Sequence, residues 1–566
     1  MNMQKYKAAL PEETVERISN IVKEAGIPTA DQVFGDGDMF CSYRLSISKD
    51  NYRAIGTNGK GMTPMYAKAS AYAEMMERLQ NRVVIDPNPA VHAFDYVYFP
   101  DESHTVLDKS EIETYVKTLL PDAYPAEGIE IDSIDCTFLP FYHVNTSKVV
   151  DIPHTLVRSV SSSNGMAAGN IPEEAILQGI CEIFERHSLQ ELYLKKLTPP
   201  TIPAEEFMGT AIWDKLNQLK ADYGMECVIK DCSLGQGFPV IGLLIYNNDK
   251  TKYVFQLGAA LSRTVALERC FTEAFQGHTA QSLEFQSSSV PSQPFDSFNE
   301  FRKSLVYGTG QMPDEFFGSV PSYEYDRASV ISFDGDFKDN LRQTIGWITG
   351  KSYDIYIRDN GFLGFPAYHI IIPGMSELDA HFSRMNPRLY ELSNSEKIIN
   401  PLYRLPSLTE DELKVAVRLL ENNMKDSINL FPHNTNRNNH INRYLLMAIL
   451  NYRLGEDQKT IECLEEYVRC QKKKGKSVRV HYLHILSILK GEESLHDNGN
   501  NEVARYFIEN RNDVLKMCSL PVCPDCSHCQ LREGCRYPLL YEVESNIQRL
   551  MKTGVRDQNA LFDVLN

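Results

Sequence analysis

Two stretches of this chain share one pattern, which constrains the fold more than any other feature of the sequence. Residues 58–78 read NGKGMTPMYAKASAYAEMMER, and residues 164–186 read NGMAAGNIPEEAILQGICEIFER. Each stretch passes from a run of small residues, interpreted as a loop, into a helix-forming segment that ends in Glu-x-x-Glu-Arg. The chain is therefore expected to contain two helices that present matched carboxylates.

On the second helix, a rotation of about 100° per residue places the acidic side chains on one side. Glu174, Gln178, Glu182 and Glu185 fall within an arc of about 80°, with Arg186 at its edge. Apolar residues cover the opposite side: Ile176, Leu177, Ile180, Ile183 and Phe184. The helix therefore packs through one face. The acids either form a solvated face with a Glu182–Arg186 pair or line a functional site.

The first helix repeats this arrangement with Glu74, Glu77 and Arg78. Ser70 lies one turn before Glu74 on the same face. Small side chains on this helix would let another element pack closely against it: Ala67, Ala69, Ala71 and Ala73.

Carboxylates on two helices beside two glycine-containing loops suit a magnesium–nucleotide complex. Backbone amides at a helix N-terminus favour anions. Magnesium usually joins a few carboxylates to substrate phosphates, and arginines pair with phosphate oxygens. The Walker pattern G-x-x-x-x-G-K-[ST] does not occur, which excludes a P-loop site. The residues alone leave two interpretations open, a magnesium–nucleotide site and a structural acidic seam.

The organisation of the chain changes near residue 400. Residues 1 to about 385 alternate strand-like and helix-like runs, a mixed α/β pattern. From about 405 the runs are helical, and Leu454-Gly455 between two of them is typical of a tetratricopeptide-like pair. The predicted division of the 566 residues is an α/β domain at 1–385, an all-α, tetratricopeptide-like domain at 386–500 and a short Cys-rich tail at 501–566.

The formal net charge of −17 argues against nucleic acid as the main partner. The basic run at 472–476 is interpreted as a solvated loop. The N-terminal residues lack the apolar core of a signal peptide, and no apolar run approaches the roughly 20 residues that cross a bilayer. A cytoplasmic protein is the expectation.

Five of the thirteen cysteines are crowded near the C-terminus. They are Cys518, Cys523, Cys526, Cys529 and Cys535. Overlapping C-x-x-C steps predict a metal centre held by four of the five. Tetrahedral zinc, an iron–sulfur cluster and unliganded thiols all stay open. The other eight cysteines are scattered and are expected to be reduced.

At this point the sequence resembles the YcaO family. SNGMAAGNIPEEAILQGICEIFER is similar to the signature of that family over nearly its whole length, and the resemblance continues in TNGKGMTPMYAKASAYAEMMERL, ALERCFTEAFQG and HIIIPGMSE. It covers roughly residues 1–385 in the order of the family. The resemblance implies an α/β fold that binds ATP with magnesium between two acidic helices, in a homodimer.

The resemblance also implies roles for individual residues. The implied magnesium ligands are Glu74, Glu77, Glu182 and Glu185. The implied nucleotide contacts are Lys7, Thr14, Ser70, Arg78, Asn170, Glu174, Arg186 and Arg269. No nucleophile–base set can be assigned from spacing, so the catalytic residues are left unassigned. His278 and Cys181 are interpreted as ordinary structural residues.

Members of the family use ATP to activate a backbone amide, giving an azoline or a thioamide. Azoline-forming members typically end in a proline-rich tail, and GVRDQNALFDVLN contains no proline, which argues against azoline formation here. The enterobacterial type is linked to β-methylthiolation of an aspartate in a small-subunit ribosomal protein, as accessory factor to the radical enzyme RimO. That role is the preferred hypothesis. A peptide cyclodehydratase or thioamide-forming enzyme, and a nucleotide-binding scaffold that acts through the helical tail, are the alternatives.

Overall fold

The computed structural model describes residues 6–34, 41–48, 56–83, 99–276, 283, 288–289, 297–307, 310–332, 335–378, 385–393, 405, 408–422, 427–429, 440–473, 475–492, 502–518 and 537–565. The chain divides into two compact units. The first consists of Met1–Asp86, Tyr98–Arg388 and Val543–Asn566, and the second of Pro87–Val97 and Leu389–Glu542. The predicted boundaries at 385 and 500 stay a prediction.

The described helices are α1 (Pro11–Glu24), α2 (Pro64–Gln80), α3 (Lys109–Leu119), α4 (His154–Ser161), α5 (Pro172–Leu194), α6 (Ala211–Tyr223), α7 (Arg263–Ala274), α8 (Ser297–Tyr307), α9 (Phe337–Gly350), α10 (Met385–Ser393), α11 (Glu410–Asn422), α12 (Arg443–Arg453), α13 (Asp457–Lys473), α14 (Val480–Leu489), α15 (Glu502–Glu509), α16 (Tyr537–Thr553) and α17 (Leu561–Leu565). None of them is long and apolar enough to cross a membrane.

The described strands are β1 (Thr29–Phe34), β2 (Cys41–Ile47), β3 (Gly56–Gly61), β4 (Ser103–Asp108), β5 (Ser133–His143), β6 (Lys148–Pro153), β7 (Met166–Ala168), β8 (Thr201–Ile202), β9 (Glu226–Asp231), β10 (Val240–Tyr246), β11 (Lys252–Ala259), β12 (Ser288–Ser289), β13 (Tyr356–Asp359), β14 (Ala367–Ile371), β15 (Ser427–Asn429) and β16 (His440–Asn442).

In the described residues, three sheets build the first unit. Their strand orders are β1-β2-β3, β12-β11-β10-β9-β8 and β4-β5-β13-β14-β7, with β6 paired to β5. Neighbouring strands in the described residues run antiparallel; β2 pairs Cys41 with Gly61, and β14 pairs His369 with Met166. The predicted mixture of strands and helices is therefore confirmed for this part of the chain.

The two runs of small residues were predicted to be loops; that prediction is wrong for residues 58–61 and 166–168, whereas residues 164–165 and 169–171 lie outside strands and helices. Residues 56–61 form the edge strand β3, and residues 166–168 form the edge strand β7. Each strand leads directly into one of the two acidic helices, β3 into α2 and β7 into α5. The helices are therefore attached to sheet edges, and their directions are set by strand pairing.

The glycines of β3 allow a strand and a helix to lie unusually close together. A Cβ atom on Gly59 would come within 2.0 Å of the Ala67 carbonyl oxygen, and one on Gly61 within 2.6 Å of the Ala67 amide nitrogen. Such contacts require glycine on the strand and a small residue on the helix. The predicted close packing is confirmed at Ala67 and Ala71, which are fully buried, whereas Ala69 and Ala73 are only half-buried.

Helix α2 begins with a capped first turn. The Thr63 side chain accepts a hydrogen bond from the Tyr66 amide, and Pro64 occupies the first turn, where its missing N–H is harmless. Helix α5 likewise has Pro172 in its first turn, followed by Glu173 and Glu174. Acidic residues there are stabilised by the positive end of the helix dipole.

Helix α5 lies in the centre of the largest hydrophobic core of the first unit. Its apolar side packs against strands β10, β11 and β14 through residues such as Ile180 and Phe184, both with 0% exposure. Glu174 is only 5% exposed. The first acidic residue of this side is therefore buried, and Glu182 and Glu185 are half-buried, whereas the solvated-face interpretation requires exposed carboxylates.

The second unit is helical as predicted, with one small addition. Helices α11 to α14 coincide with the four helical runs read from the sequence, and α11 and α12 contribute many of the residues of one core. Gly455 joins α12 to α13 with a left-handed φ of 82°, a conformation that favours glycine. The short antiparallel pair β15–β16 was not predicted. The tetratricopeptide-like assignment stays a prediction.

Candidate functional site

A cavity of about 450 Å³ in the first unit is lined by β3, α2, α5, α7 and the residues that precede and begin α1. All twelve residues predicted for the Glu, Arg and N-terminal site line this cavity. They are Lys7, Thr14, Ser70, Glu74, Glu77, Arg78, Asn170, Glu174, Glu182, Glu185, Arg186 and Arg269. The structure thus brings the whole set together, while the role of each residue as a ligand stays a prediction.

Helix α2 supplies a self-contained group of charges. The Arg78 guanidinium lies 3.6 Å from a Glu74 oxygen and 3.5 Å from a Glu77 oxygen. Burial raises the pKa of Glu77 well above its usual range; Arg78 opposes this shift, and the nearby carboxylates of Glu182 and Glu74 add to it. The carboxylates of α2 and α5 therefore repel each other across the cavity.

Helix α5 supplies a carboxylate that is held by other segments. The Glu174 carboxylate lies 3.1 Å from the Lys7 ammonium and accepts hydrogen bonds from the Ala8 amide at 3.3 Å and the Asn170 amide at 3.2 Å. The Thr14 hydroxyl donates to the Asn170 side chain at 2.9 Å. Glu174 therefore ties the N-terminal residues to the start of α5.

A second contact that the sequence did not predict strengthens this connection. Arg17 donates to the Asn170 carbonyl at 2.9 Å and to the Gly364 carbonyl at 3.0 Å, and its guanidinium lies 4.9 Å from the centre of the Phe365 ring. Phe365 lines the cavity. The N-terminal segment is thus one wall of the site, which no local pattern in the sequence indicates.

The two arginines beyond α2 are anchored through backbone carbonyls. Arg186 donates to the Leu305 carbonyl at 2.6 Å. In the described part of the chain this contact takes the place of the predicted ion pair with Glu182. Arg269 donates to the Ala259 carbonyl at 2.6 Å and to the side-chain oxygen of Gln178. Both guanidinium groups line the cavity, and the positive charge of Arg186 opposes the rise that burial causes in the pKa of Glu182.

Sequence analysis missed further polar residues in the cavity. Lys60 of β3 forms an ion pair with Glu273 of α7. Burial lowers the pKa of Lys60 to about 8, against the opposing effect of Glu185 and Glu74. Gln276 donates to the Asn58 carbonyl at 2.7 Å. Lys60 and Asn58 belong to the first repeated stretch, which also contains Glu74. Their place in that stretch is the only sequence feature that links them to the site.

The donor set fits magnesium together with phosphate better than magnesium alone. Across the described residues, no three His, Cys, Asp or Glu side chains are gathered closely enough to hold a metal ion. The four predicted ligands line one cavity with three arginines. Magnesium usually keeps few protein carboxylates and completes its shell with phosphate oxygens and water, so these residues suit it when a nucleotide supplies the rest.

The remaining predicted residues fall outside this site. Four of the five clustered cysteines and His278 lie outside the described residues, and Cys518 is described only for its backbone. The structure therefore says nothing of a zinc or iron–sulfur centre. Cys181 is buried in the core, and burial raises its pKa to about 11, as expected of a structural thiol.

A family model described as "YcaO cyclodehydratase, ATP- and Mg2+-binding" matches residues 58–376. Two curated relatives match more than half of the chain. The "Ribosomal protein S12 methylthiotransferase accessory factor YcaO" of Escherichia coli strain K12 is 26% identical over 340 residues, 57% of each chain. An uncharacterized protein of Haemophilus influenzae is 25% identical over 345 residues, also 57% of each. The chain thus matches little more than half the length of these relatives.

Solved structures with a related arrangement include YcaO from Methanopyrus kandleri bound with AMPPCP and Mg2+. The match to that structure has a TM-score of 0.42 at 18% sequence identity, and it covers 66% of this chain and 93% of the M. kandleri chain. A heterocyclase in complex with substrate and cofactor has a TM-score of 0.46 at 16% identity, covering 66% and 53%. The family model, which matches more than half of the residues and includes both acidic helices, is the decisive finding: this chain belongs to the YcaO family.

Proposed function

We propose that this protein binds ATP with magnesium in the cavity and uses it to activate an amide carbonyl of a polypeptide. The observation that carries the proposal is the pair of acidic helices. Glu77 of α2 and Glu182 of α5 line one cavity, and each has a raised pKa, caused first by burial and also by neighbouring carboxylates. A divalent cation between the two carboxylates would offset both their burial and their mutual repulsion.

The positive charges of two arginines also support the proposal. Arg186 and Arg269 are oriented by carbonyl groups at 2.6 Å, so their charge remains available for phosphate oxygens. Phosphoryl transfer needs little from a protein beyond positioning and charge neutralisation. A buried cavity that combines anchored cations with carboxylates for magnesium meets both needs.

In the proposed reaction, a nucleophile adds to the amide carbonyl carbon, and the resulting oxyanion takes the γ-phosphoryl group of ATP, releasing ADP. Elimination then breaks the C–O bond and releases phosphate. The net consumption is one ATP for each amide oxygen removed. Magnesium would screen the phosphate charge during the transfer. The residues of this chain would hold the phosphates and exclude water.

For the substrate, we favour a ribosomal protein. The support is the E. coli relative, whose name makes it an accessory factor of ribosomal protein S12 methylthiotransferase. The partner would then be a RimO-type radical enzyme. A peptide cyclodehydratase is the second candidate, because the family model bears that description. A homodimer and a cytoplasmic location remain part of the hypothesis.

The test is calorimetric titration of ATP with Mg2+ into the purified protein, with phosphate release followed in parallel. Glu182→Ala and Glu185→Ala are each expected to weaken binding about 100-fold or more, close to 2.7 kcal/mol. Glu173→Gln is the matched control, since Glu173 lies on the same helix but does not line the cavity.

Three outcomes separate the hypotheses. Phosphate release stimulated by ribosomal protein S12 supports the ribosomal role, and release stimulated only by short cysteine- or serine-containing peptides supports the cyclodehydratase. Binding without release supports a scaffold. A wild-type protein that binds no ATP with Mg2+ would show that the cavity is a structural seam, and the proposal would be abandoned.

A further inference from the structure

Helices α1 and α2, which carry or flank the site residues, end in the same backbone motif. In α1 the amide of Ile27 donates to the Val22 carbonyl at 2.9 Å, and the amide of Gly26 donates to the Lys23 carbonyl at 3.0 Å. This is a Schellman cap, whose central residue adopts a left-handed conformation. Gly26 has a φ of 67°, as expected for glycine at that position.

Helix α2 has the same cap with an arginine at its centre. The amide of Val83 donates to the Arg78 carbonyl at 2.8 Å, and the amide of Arg82 donates to the Leu79 carbonyl at 3.3 Å. Arg82 has a φ of 60°, a conformation that is unfavourable for a residue with a Cβ atom.

Glu544 of α16 holds Arg82 in place. Both oxygens of the Glu544 carboxylate accept hydrogen bonds from the Arg82 guanidinium, one of them at 2.9 Å. The side chain of Glu544 is 0% exposed and that of Arg82 is 10% exposed. A buried, bidentate pair of this kind fixes geometry as well as charge. The strained cap of α2 is thus stabilised by a residue 462 positions away in the chain.

The same helix also contacts the cap of α1. The Asn546 side chain donates to the Gly26 carbonyl at 3.2 Å. Helix α16 therefore contacts the ends of both helices, with Glu544 at the arginine cap and Asn546 at the glycine cap. Only the arginine cap depends on an ion pair.

The arginine cap is continuous with the predicted site. The Arg78 carbonyl accepts the closing bond of the cap, and the Glu77 carbonyl accepts a hydrogen bond from the Asn81 side chain at 3.0 Å. The side chains of Glu77 and Arg78 line the cavity. The last turn of α2 therefore carries site residues on one side and the Arg82–Glu544 contact at its end.

We propose that Arg82 and Glu544 are a positioning pair, through which α16 fixes Glu77 and Arg78 against the nucleotide and sets the affinity of the site. Glu544 lies outside residues 58–376, the part of the chain that the family model matches. The inference rests on the proposed function, because it presupposes that the cavity binds ATP with magnesium.

The test compares a double variant with wild type by thermal unfolding and by calorimetric titration of ATP with Mg2+. Arg82→Gly alone would leave a buried carboxylate unpaired and could unfold the protein. Combined with Glu544→Gln, it removes both charges, relieves the strained φ and retains an acceptor for Gln548, which donates to Glu544 at 3.3 Å. Asn546→Ala is the matched control at the glycine cap.

The expected result is a double variant that unfolds at or above the wild-type temperature but binds ATP about tenfold or more weakly, the usual loss when a supporting contact is removed. Asn546→Ala is expected to bind within about twofold of wild type. Wild-type affinity in the double variant would show that the pair is merely structural and would overturn the inference.

A second variant covers the case in which the double variant does not fold. Arg82→Lys keeps the charge but loses the bidentate geometry, and an affinity equal to wild type would overturn the inference. The two proposals fail differently. If wild-type protein binds no ATP, the proposed function and this inference both fail; if wild type binds and the variants match it, only this inference fails.

Discussion

The two acidic helices carry one sequence pattern, but the structure supports them in different ways. The charges of α5 are held from outside the helix: Glu174 by Lys7 and the Ala8 amide, and Arg186 by the Leu305 carbonyl. The charges of α2 are held within the helix, since Arg78 contacts both Glu74 and Glu77. Helix α5 is surrounded by core residues, whereas α2 packs on a three-stranded sheet.

This difference indicates different tasks in one site. Contacts from distant segments restrict α5 to one geometry before any ligand arrives. Ion pairs within a helix are weak and easily exchanged, so Arg78 is free to leave Glu74 and Glu77 when phosphate and magnesium arrive. We therefore expect α5 to be the preformed side of the site and α2 the responsive side.

The largest effect should come from filling the space between strand and helix. Gly59→Ala would place a methyl group 2.0 Å from the Ala67 carbonyl oxygen, a backbone atom that cannot move away. Gly169→Ala on the α5 side meets the Ala175 amide nitrogen at 2.8 Å. We expect Gly59→Ala to lower the free energy of unfolding by about 3 kcal/mol and Gly169→Ala to lower it by about 1 kcal/mol, since overpacking typically costs amounts in this range.

Urea unfolding of both variants measures these losses, with Gly346→Ala as the control. Gly346 lies within α9 and a Cβ atom there meets nothing within 4 Å, so alanine should stabilise by about 0.5–1 kcal/mol. Equal losses at Gly59 and Gly169 would show that the two strand–helix junctions tolerate an added methyl group equally.

The contact that preforms the α5 side can be broken next. Lys7→Met and Glu174→Gln should each weaken binding of ATP with Mg2+ about tenfold, because either change releases the N-terminal wall. The double variant should lose little more affinity for ATP with Mg2+ than either single variant does, as expected for residues in direct contact. Calorimetry measures all three, with Lys23→Met at the far end of α1 as the control. Additive losses would show that the two residues act separately.

The smallest expected effect is a dependence of binding on pH. Burial, and in addition the neighbouring carboxylates, raise the pKa of Glu77 and of Glu182. In the free protein each carboxyl group therefore loses its proton at a higher pH than an ordinary carboxyl group does. Magnesium binds the deprotonated form, so binding releases protons and tightens as pH rises. We expect the dissociation constant to fall as pH rises from the ordinary carboxyl range into the raised range of Glu77 and Glu182.

Titrations in buffers of different ionisation enthalpy count the released protons. Glu77→Gln should reduce that number more than Glu173→Gln, since Glu173 does not line the cavity. A dissociation constant that is independent of pH, with no proton release, would show that neither helix contributes a buried, protonated carboxylate.

Much of the local structure was predictable because it depends on neighbours in the sequence. The helical runs from 405 onwards and the extent of α5 follow from periodicity, and Thr63 and Pro64 mark the start of α2. The strands β3 and β7 were missed, since short runs of small residues suit a loop as well as a strand. Only pairing with β2 and β14, which come from other parts of the chain, makes them strands.

The site shows the same division between local and distant causes. The sequence by itself determined that Glu174, Glu182 and Glu185 share one face of a helix, because a helix turns by a constant angle for each residue. Tertiary structure alone decided that this face lines a cavity, that Lys60 joins it, that Arg17 contacts the cavity residue Asn170, and that Glu544 contacts the end of α2. Those contacts join residues far apart in the chain, and burial and pairing across such distances leave no periodic trace in a sequence.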